Sequence, residues 1–159
     1  MVNEEFRNID ENATIEKAKR VLSEYTQWRL KSRRVSFDLQ SPVMDGMPKN
    51  RSFSNREEEK RTNKSNADFM ANTVVDVING IADISEVTED YAAILRMVYI
   101  KHYSNVRCMR ELGLSEKTFY RYRKTALLAF ASMYPPVVEK LLVHKTMAGK
   151  EGDSVLTWF

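Results

Sequence analysis

Hydrophobic positions along this chain recur at helical spacing in several separate windows. Between Thr14 and Lys31, Ile15, Ala18, Val21, Leu22, Tyr25 and Trp28 follow an i, i+3, i+4, i+7 pattern, which predicts an amphipathic helix with Thr14 as its N-cap. The periodicity then stops. Ser32 to Ser54 holds Arg33-Arg34 and the run SPVMDGMPKNRSFSN, so a long loop or linker is expected there, with Met44 and Met47 flanking Asp45-Gly46. A second helix is expected over Asn55 to Gly80, with Glu57 to Glu59 near its start, Ala67, Met70, Ala71, Val74 and Ile78 inward, and Gly80 as the stop. A third is expected over Thr88 to His102, capped by Thr88 and buried through Tyr91, Ile94, Leu95, Val98 and Tyr99.

Asn105 to Tyr134 has the most specific pattern. Asn105 is placed as the cap of a short helix that turns Val106, Met109 and Leu112 inward. Gly113 supplies the left-handed residue that a sharp helix-to-helix turn needs, Leu114 plugs the turn, and Ser115 caps the next helix by accepting from the Thr118 N–H. In that next helix Phe119, Tyr122, Ala126, Leu127 and Phe130 form an inner face, while Glu116, Lys117, Tyr120, Arg121 and Lys124 lie outward and Arg123 to one side. The order helix, tight turn, basic helix is that of a helix-turn-helix, whose second helix enters the major groove of DNA. Position four before the turn glycine is usually small, and here it is Met109. Pro135-Pro136 ends the helix, Val137 to His144 is expected to add a short one, and the polar residues after it a loose tail.

The fold class expected from these windows is all-α, a helical domain with a C-terminal helix-turn-helix and an N-terminal helix joined by a long loop. The chain divides into residues 1–54 (helix and loop), 55–144 (helical domain, with the helix-turn-helix at 105–134) and a tail at 145–159.

Charge sharpens this picture. The net charge is only +3, but the window Lys101 to Lys124 holds seven Lys/Arg against two Glu, a local +5 that leaves −2 for everything else. Basicity concentrated on one helix suits a nucleic acid, although a solvated helix face would look the same by charge alone. Lys117, Tyr120 and Arg121 are the candidate base readers because the first turns of a recognition helix reach base edges, and Glu116 is suited to accept from cytosine N4. Arg107, Ser115, Arg123 and Lys124 are better placed for phosphates.

Little else offers chemistry. There is no glycine-rich phosphate loop, no metal-ligand spacing and no nucleophile beside a base, so neither an enzyme, a metal nor a cofactor is expected. His102 and His144 lie far apart in sequence, and the Asp76, Asp83, Asp90 series reads as a solvated face. Lone Cys108 excludes an internal disulfide and reads as a packing residue. No apolar run approaches the roughly 20 residues of a membrane span, and the N-terminus MVNEEFRNIDEN does not read as a secretory signal, so no membrane partner and a cytoplasmic address are expected.

The run YAAILRMVYIKHYSNVRCMRELGLSEKTFYRYRKTALLAFASMY resembles the C-terminal half of the ArpU-type late-gene regulators of phages and prophages in Gram-positive bacteria. SPVMDGMPK resembles the upstream segment of the same group, and the likeness spans roughly Ile15 to Tyr134. The group's helix-turn-helix is similar to the fourth region of bacterial sigma factors. The resemblance implies a transcriptional activator of packaging and lysis genes, acting on double-stranded DNA, with bacterial RNA polymerase as a candidate second partner. It puts the start of the recognition helix on Ser115, Glu116, Lys117, Thr118, Tyr120 and Arg121. Two other readings stay open. A small terminase subunit also recognises DNA with a helix-turn-helix, but inside a ring. A pure interaction protein would use the basic helix on an acidic partner. A homodimer reading two half-sites about 34–36 Å apart and a monomer reading one are both compatible with the sequence.

Overall fold

The computed structural model describes residues 7–40 and 51–146, and every regular element among them is helical. Five helices run in order: α1 (Glu11–Gln40), α2 (Arg51–Ala82), α3 (Glu86–Leu95, continued by a π-helical turn over Arg96–Ile100), α4 (Asn105–Leu112) and α5 (Glu116–Met133). This is the expected all-α class, with several boundaries moved.

The first helix begins earlier than expected. The Asp10 carboxylate accepts from the Ala13 N–H at 3.1 Å and so takes the capping role expected of Thr14. Thr14 is fully buried instead, its hydroxyl accepting from the Val143 N–H at 3.0 Å. The helix also continues past Lys31 to Gln40, where a loop was expected. The reason is local and tertiary together. Ser32 to Gln40 contains neither glycine nor proline, and polar groups join this end of the α1–α2 pair, with Val35 and Leu39 half-buried beside buried Ser32. The Arg29 guanidinium donates to Asn72 at 2.7 Å, and buried Ser32 donates to Asp68. Ser32 and Ser36 on this face dilute the apolar period that Trp28, Val35 and Leu39 would otherwise show. SPVMDGMPK, with Met44 and Met47, lies outside the described residues.

These pairings run antiparallel. The second helix starts at Arg51 rather than Asn55 and passes through Gly80 to Ala82. Gly80 is therefore no stop. A Cβ there would lie 2.9 Å from the methyl of the Met133 side chain of α5, the flexible end of a partly exposed residue that can move aside. Ser85, not Thr88, caps α3; the two side chains form a capping box, each accepting from the other's backbone N–H. The regular α-helix ends at Leu95, and the Lys101 N–H reaches back to the Arg96 carbonyl at 2.8 Å in the wider turn. His102 then adopts φ 55° and the chain reverses toward α4.

Two apolar clusters hold these elements. The larger joins α1, α2, α3 and α5 through Leu22, Ile78, Ile81, Leu95, Leu127 and Phe130. The smaller centres on Ile94, Cys108 and Phe119, binding α4 and the start of α5 to α3. Cys108 packs there as expected, its thiol pKa pushed up by burial and then by Glu111.

No helix forms over Val137–His144. The chain turns at Pro135–Val138, leaves Val137 98% exposed, and tucks Leu141 and Leu142 into the larger cluster. It then pairs with the residues ahead of α1: the Asp10 N–H donates to Val143 O at 2.7 Å and the Lys145 N–H to Asn8 O at 2.6 Å. Both chain ends of the described domain are thus tied beside α1. Lys145 belongs to the expected loose tail, yet it is held; residues 147–159 lie outside the described part.

Candidate nucleic-acid interface

Helices α4 and α5 are joined by a turn built from complementary local devices. Gly113 sits at φ 64°, ψ 33°, the left-handed conformation expected of it. Around it the Leu114 N–H donates to Met109 O at 3.0 Å and the Gly113 N–H to Arg110 O at 3.3 Å. These two bonds make a Schellman motif, and Met109 and Leu114, the positions whose apolar contact usually accompanies it, both pack on the smaller cluster. The large residue at position 109 thus closes the turn. Two residues on, Ser115 caps α5, its hydroxyl accepting from the Thr118 N–H at 3.3 Å.

A Cβ at Gly113 would meet nothing within 4 Å. Gly113→Ala is therefore expected to lose about 1–2 kcal/mol from left-handed strain alone. Gly113→Asn should lose less. Urea unfolding of the two variants checks both the size and the order.

The short helix differs in one respect from its expected register. Ser104, rather than Asn105, caps it, accepting from the Arg107 N–H at 3.2 Å. Its inner face is Cys108, Met109 and Leu112, and Val106 is 63% exposed instead of inward. At about 100° per residue, Val106 lies roughly 160° round the helix from Cys108 and about 120° from Leu112, so it sits at the edge of that face beyond Met109.

Along α5, Phe119, Ala126, Leu127 and Phe130 are buried as expected, and Tyr122 is half-buried, its ring edge-on to Tyr91 at 5.2 Å. The outward positions fall into three groups. Glu116, Lys117, Tyr120 and Arg121 are exposed together on the first turns; Lys117 and Arg121 have no acidic partner among the described residues. Ser115 and Thr118 are occupied with each other, the Ser115 hydroxyl lying 3.0 Å from that of Thr118. Lys124 and Arg107 have acidic partners. Lys124 pairs with Glu11 of α1 at 2.8 Å, which holds that carboxyl below its usual pKa. Arg107 pairs with Glu111 at 2.9 Å and lies 3.6 Å above the Tyr103 ring; the Glu111 bond keeps its pKa raised.

Arg123 departs most from its expected place. It is half-buried, donating to the Tyr99 hydroxyl at 3.2 Å and to Asn105 Oδ1 at 3.4 Å. Arg110 and Lys101, absent from the sequence-based site, are exposed near Arg107, with Lys101 Nζ 5.7 Å from the Tyr103 ring that Arg107 also covers. The i, i+4 spacing of Tyr103 and Arg107 is the sequence signal for that arrangement. Among the described residues no group of three or more His, Cys, Asp or Glu is gathered to hold a metal ion, and no helix is long and apolar enough to cross a membrane.

Residues 64–131, from the middle of α2 almost to the end of α5, match the family described as "Protein of unknown function (DUF1492)". The chain is also similar to the "Putative autolysin regulatory protein ArpU" of Enterococcus hirae, at 25% identity over 129 residues, covering 81% of this chain and 91% of that protein. A distant kinship with an ArpU-family regulatory protein follows. The match to the family of unknown function takes in α4, the turn and most of α5, so the likeness includes the basic surface as well as the core. No solved structure matches the chain.

Proposed function

We propose that this protein is a sequence-specific DNA-binding transcriptional regulator, an activator of phage late genes, whose helix α5 enters the major groove by its N-terminal turns. The observation that carries the reading is the exposure of Lys117, Tyr120 and Arg121 on the first two turns of a helix whose start is fixed by the Gly113 turn and the Ser115 cap. A groove reader needs long donors on a rigid support, because a base-edge contact tolerates little error in position. The apolar cluster beneath, with Phe119 at its centre, supplies that support. Arg110, Arg107 and Lys101 flank the helix on the α4 side and suit phosphates. The similarity to a protein named as an autolysin regulator supports a regulatory role over a purely structural one.

The test is Arg121→Ala against a selected duplex and its single-base variants. If Arg121 reads a guanine, affinity for the selected site should fall by roughly 1–3 kcal/mol and preference should relax at one position. An equal loss on every sequence would make Arg121 a phosphate contact. No loss on any sequence would remove α5 from the interface.

A further inference from the structure

We infer that Tyr120 is a hydrogen-bond donor to the nucleic acid, and that Arg123 and Asn105 act inside the protein to hold it so. The inference rests on the DNA-binding reading and adds to it a specificity-determining side chain and the pair that positions it.

Four polar side chains from three elements form a line. Arg123 of α5 donates to the Tyr99 hydroxyl in the π-helical turn at 3.2 Å and to Asn105 Oδ1 at the start of α4 at 3.4 Å. Asn105 Nδ2 in turn donates to the Tyr120 hydroxyl at 3.3 Å. The direction of this line is dictated by chemistry. A guanidinium only donates, so the amide oxygen must face Arg123 and the amide N–H₂ must face away from it. That leaves the Tyr120 oxygen as an acceptor from Asn105, with its own proton free to be given outward. Tyr120 is 45% exposed, so the proton is available to a ligand. A charge at the head of such a chain polarises each bond after it, strengthening the terminal donor.

The geometry of the support points the same way. The wider π turn carries Tyr99, which is buried, while Arg123 lies 5.6 Å from its ring as well as bonding its hydroxyl. Arg123 is therefore anchored to α3's continuation. The Tyr120 ring packs edge-on against Phe119 at 5.4 Å, which limits its swing. Acceptors in the major groove are guanine O6 and N7, adenine N7 and thymine O4, whereas the amino groups of adenine and cytosine donate. A fixed donor at Tyr120 favours the former set. A phosphate oxygen is also an acceptor, and the experiment separates the two.

The experiment measures Tyr120→Phe, Asn105→Ala, Arg123→Met and the Tyr120→Phe/Arg123→Met double variant in two ways. The ring signals of Tyr120 are followed by NMR in the free, full-length protein. Binding is measured to a selected duplex and its single-base variants over a range of salt. Both Asn105→Ala and Arg123→Met should shift the Tyr120 signals before any DNA is added. Tyr120→Phe should weaken the selected site about two- to tenfold, the worth of one hydrogen bond, with the loss confined to one base pair. Arg123→Met should weaken it in the same place, leave the salt slope unchanged, and add nothing once Tyr120 is Phe. A uniform loss from Tyr120→Phe on all duplexes would assign the donor to a phosphate while keeping the chain. Tyr120 signals indifferent to Arg123, or a salt slope shallower by about one in Arg123→Met, would overturn the inference, since the latter marks a direct phosphate contact. A wild-type protein without any sequence preference would overturn the DNA-binding reading itself, whatever the ring signals show.

Discussion

Phe119→Ala should cost about 3–5 kcal/mol of stability, a large share of what a domain of this kind possesses. Phe119 is fully buried at the centre of the smaller apolar cluster, where Ile94 and Cys108 are its buried neighbours and Met109, Leu112, Leu114 and Tyr122 close around them. Removing the ring opens a cavity at the junction of α3, α4 and α5. No single neighbour can fill it without loosening the Schellman turn, because Met109 and Leu114 belong to both. DNA binding should therefore be lost in step with stability. Val106→Ala is the matched control. Although it is also an apolar residue of the same helix pair, Val106 is 63% exposed and its truncation should change stability by no more than about 0.5 kcal/mol. Urea denaturation followed by circular dichroism measures both. A Val106 effect comparable to that of Phe119 would contradict the packing described here.

The second large effect is expected in salt. If four phosphates are neutralised by Arg110, Arg107, Lys101 and Lys124, log affinity should fall with log salt at a slope of about −3.6. Between 50 and 200 mM that is a loss on the order of 10². Two of these cations must change partner. Lys124 leaves Glu11 and Arg107 leaves Glu111, but both ion pairs are more than a third exposed on each side, and exposed pairs contribute little. The exchange therefore opposes binding only weakly. Fluorescence anisotropy with a labelled duplex at four salt concentrations gives the slope. A flat response would remove the electrostatic basis of the proposed interface.

Much of the candidate site was legible because its determinants are local. Gly113 and Ser115 specify the turn through their own backbone preferences, so residues a few positions apart announce it. The inner face of α5 was legible for the same reason, since one helix period decides which side meets the core. What sequence alone concealed depends on partners far along the chain. The second half of α1 has a diluted apolar stripe because Arg29 and Ser32 meet Asn72 and Asp68 of α2, forty or so residues away in sequence. Gly80 carries a stop signal in the sequence, yet α2 runs through it to Ala82, with buried Ile78 and Ile81 on either side of it in the larger apolar cluster. Leu141 and Leu142 are core residues on a non-helical segment, a placement that follows from pairing with Asn8 and Asp10 rather than from any period.

Arg123 is the most instructive of these. Its spacing puts it beside the outward face of α5, and charge alone made it a phosphate ligand. The π-helical turn brings Tyr99 to it, and Asn105 arrives from the next helix. A wider turn within α3 leaves no mark in hydrophobic periodicity. A basic residue on a recognition-type helix can thus be part of the scaffold while its neighbours Lys117 and Arg121 face outward. Val106 shares an i, i+3 spacing with Met109, yet the packed face centres on buried Cys108, and that centre is set by Ile94 and Phe119 of other helices.

The surface formed by the start of α5 is the proposed reader of DNA sequence. The most direct measurement is selection from a random duplex pool by the purified full-length protein at near-physiological salt, with the Lys117→Ala/Arg121→Ala variant run in parallel. The account predicts one enriched motif for the wild-type protein and its loss or relaxation in the variant. Enrichment of no motif, or of the same motif with equal strength by both proteins, would contradict it.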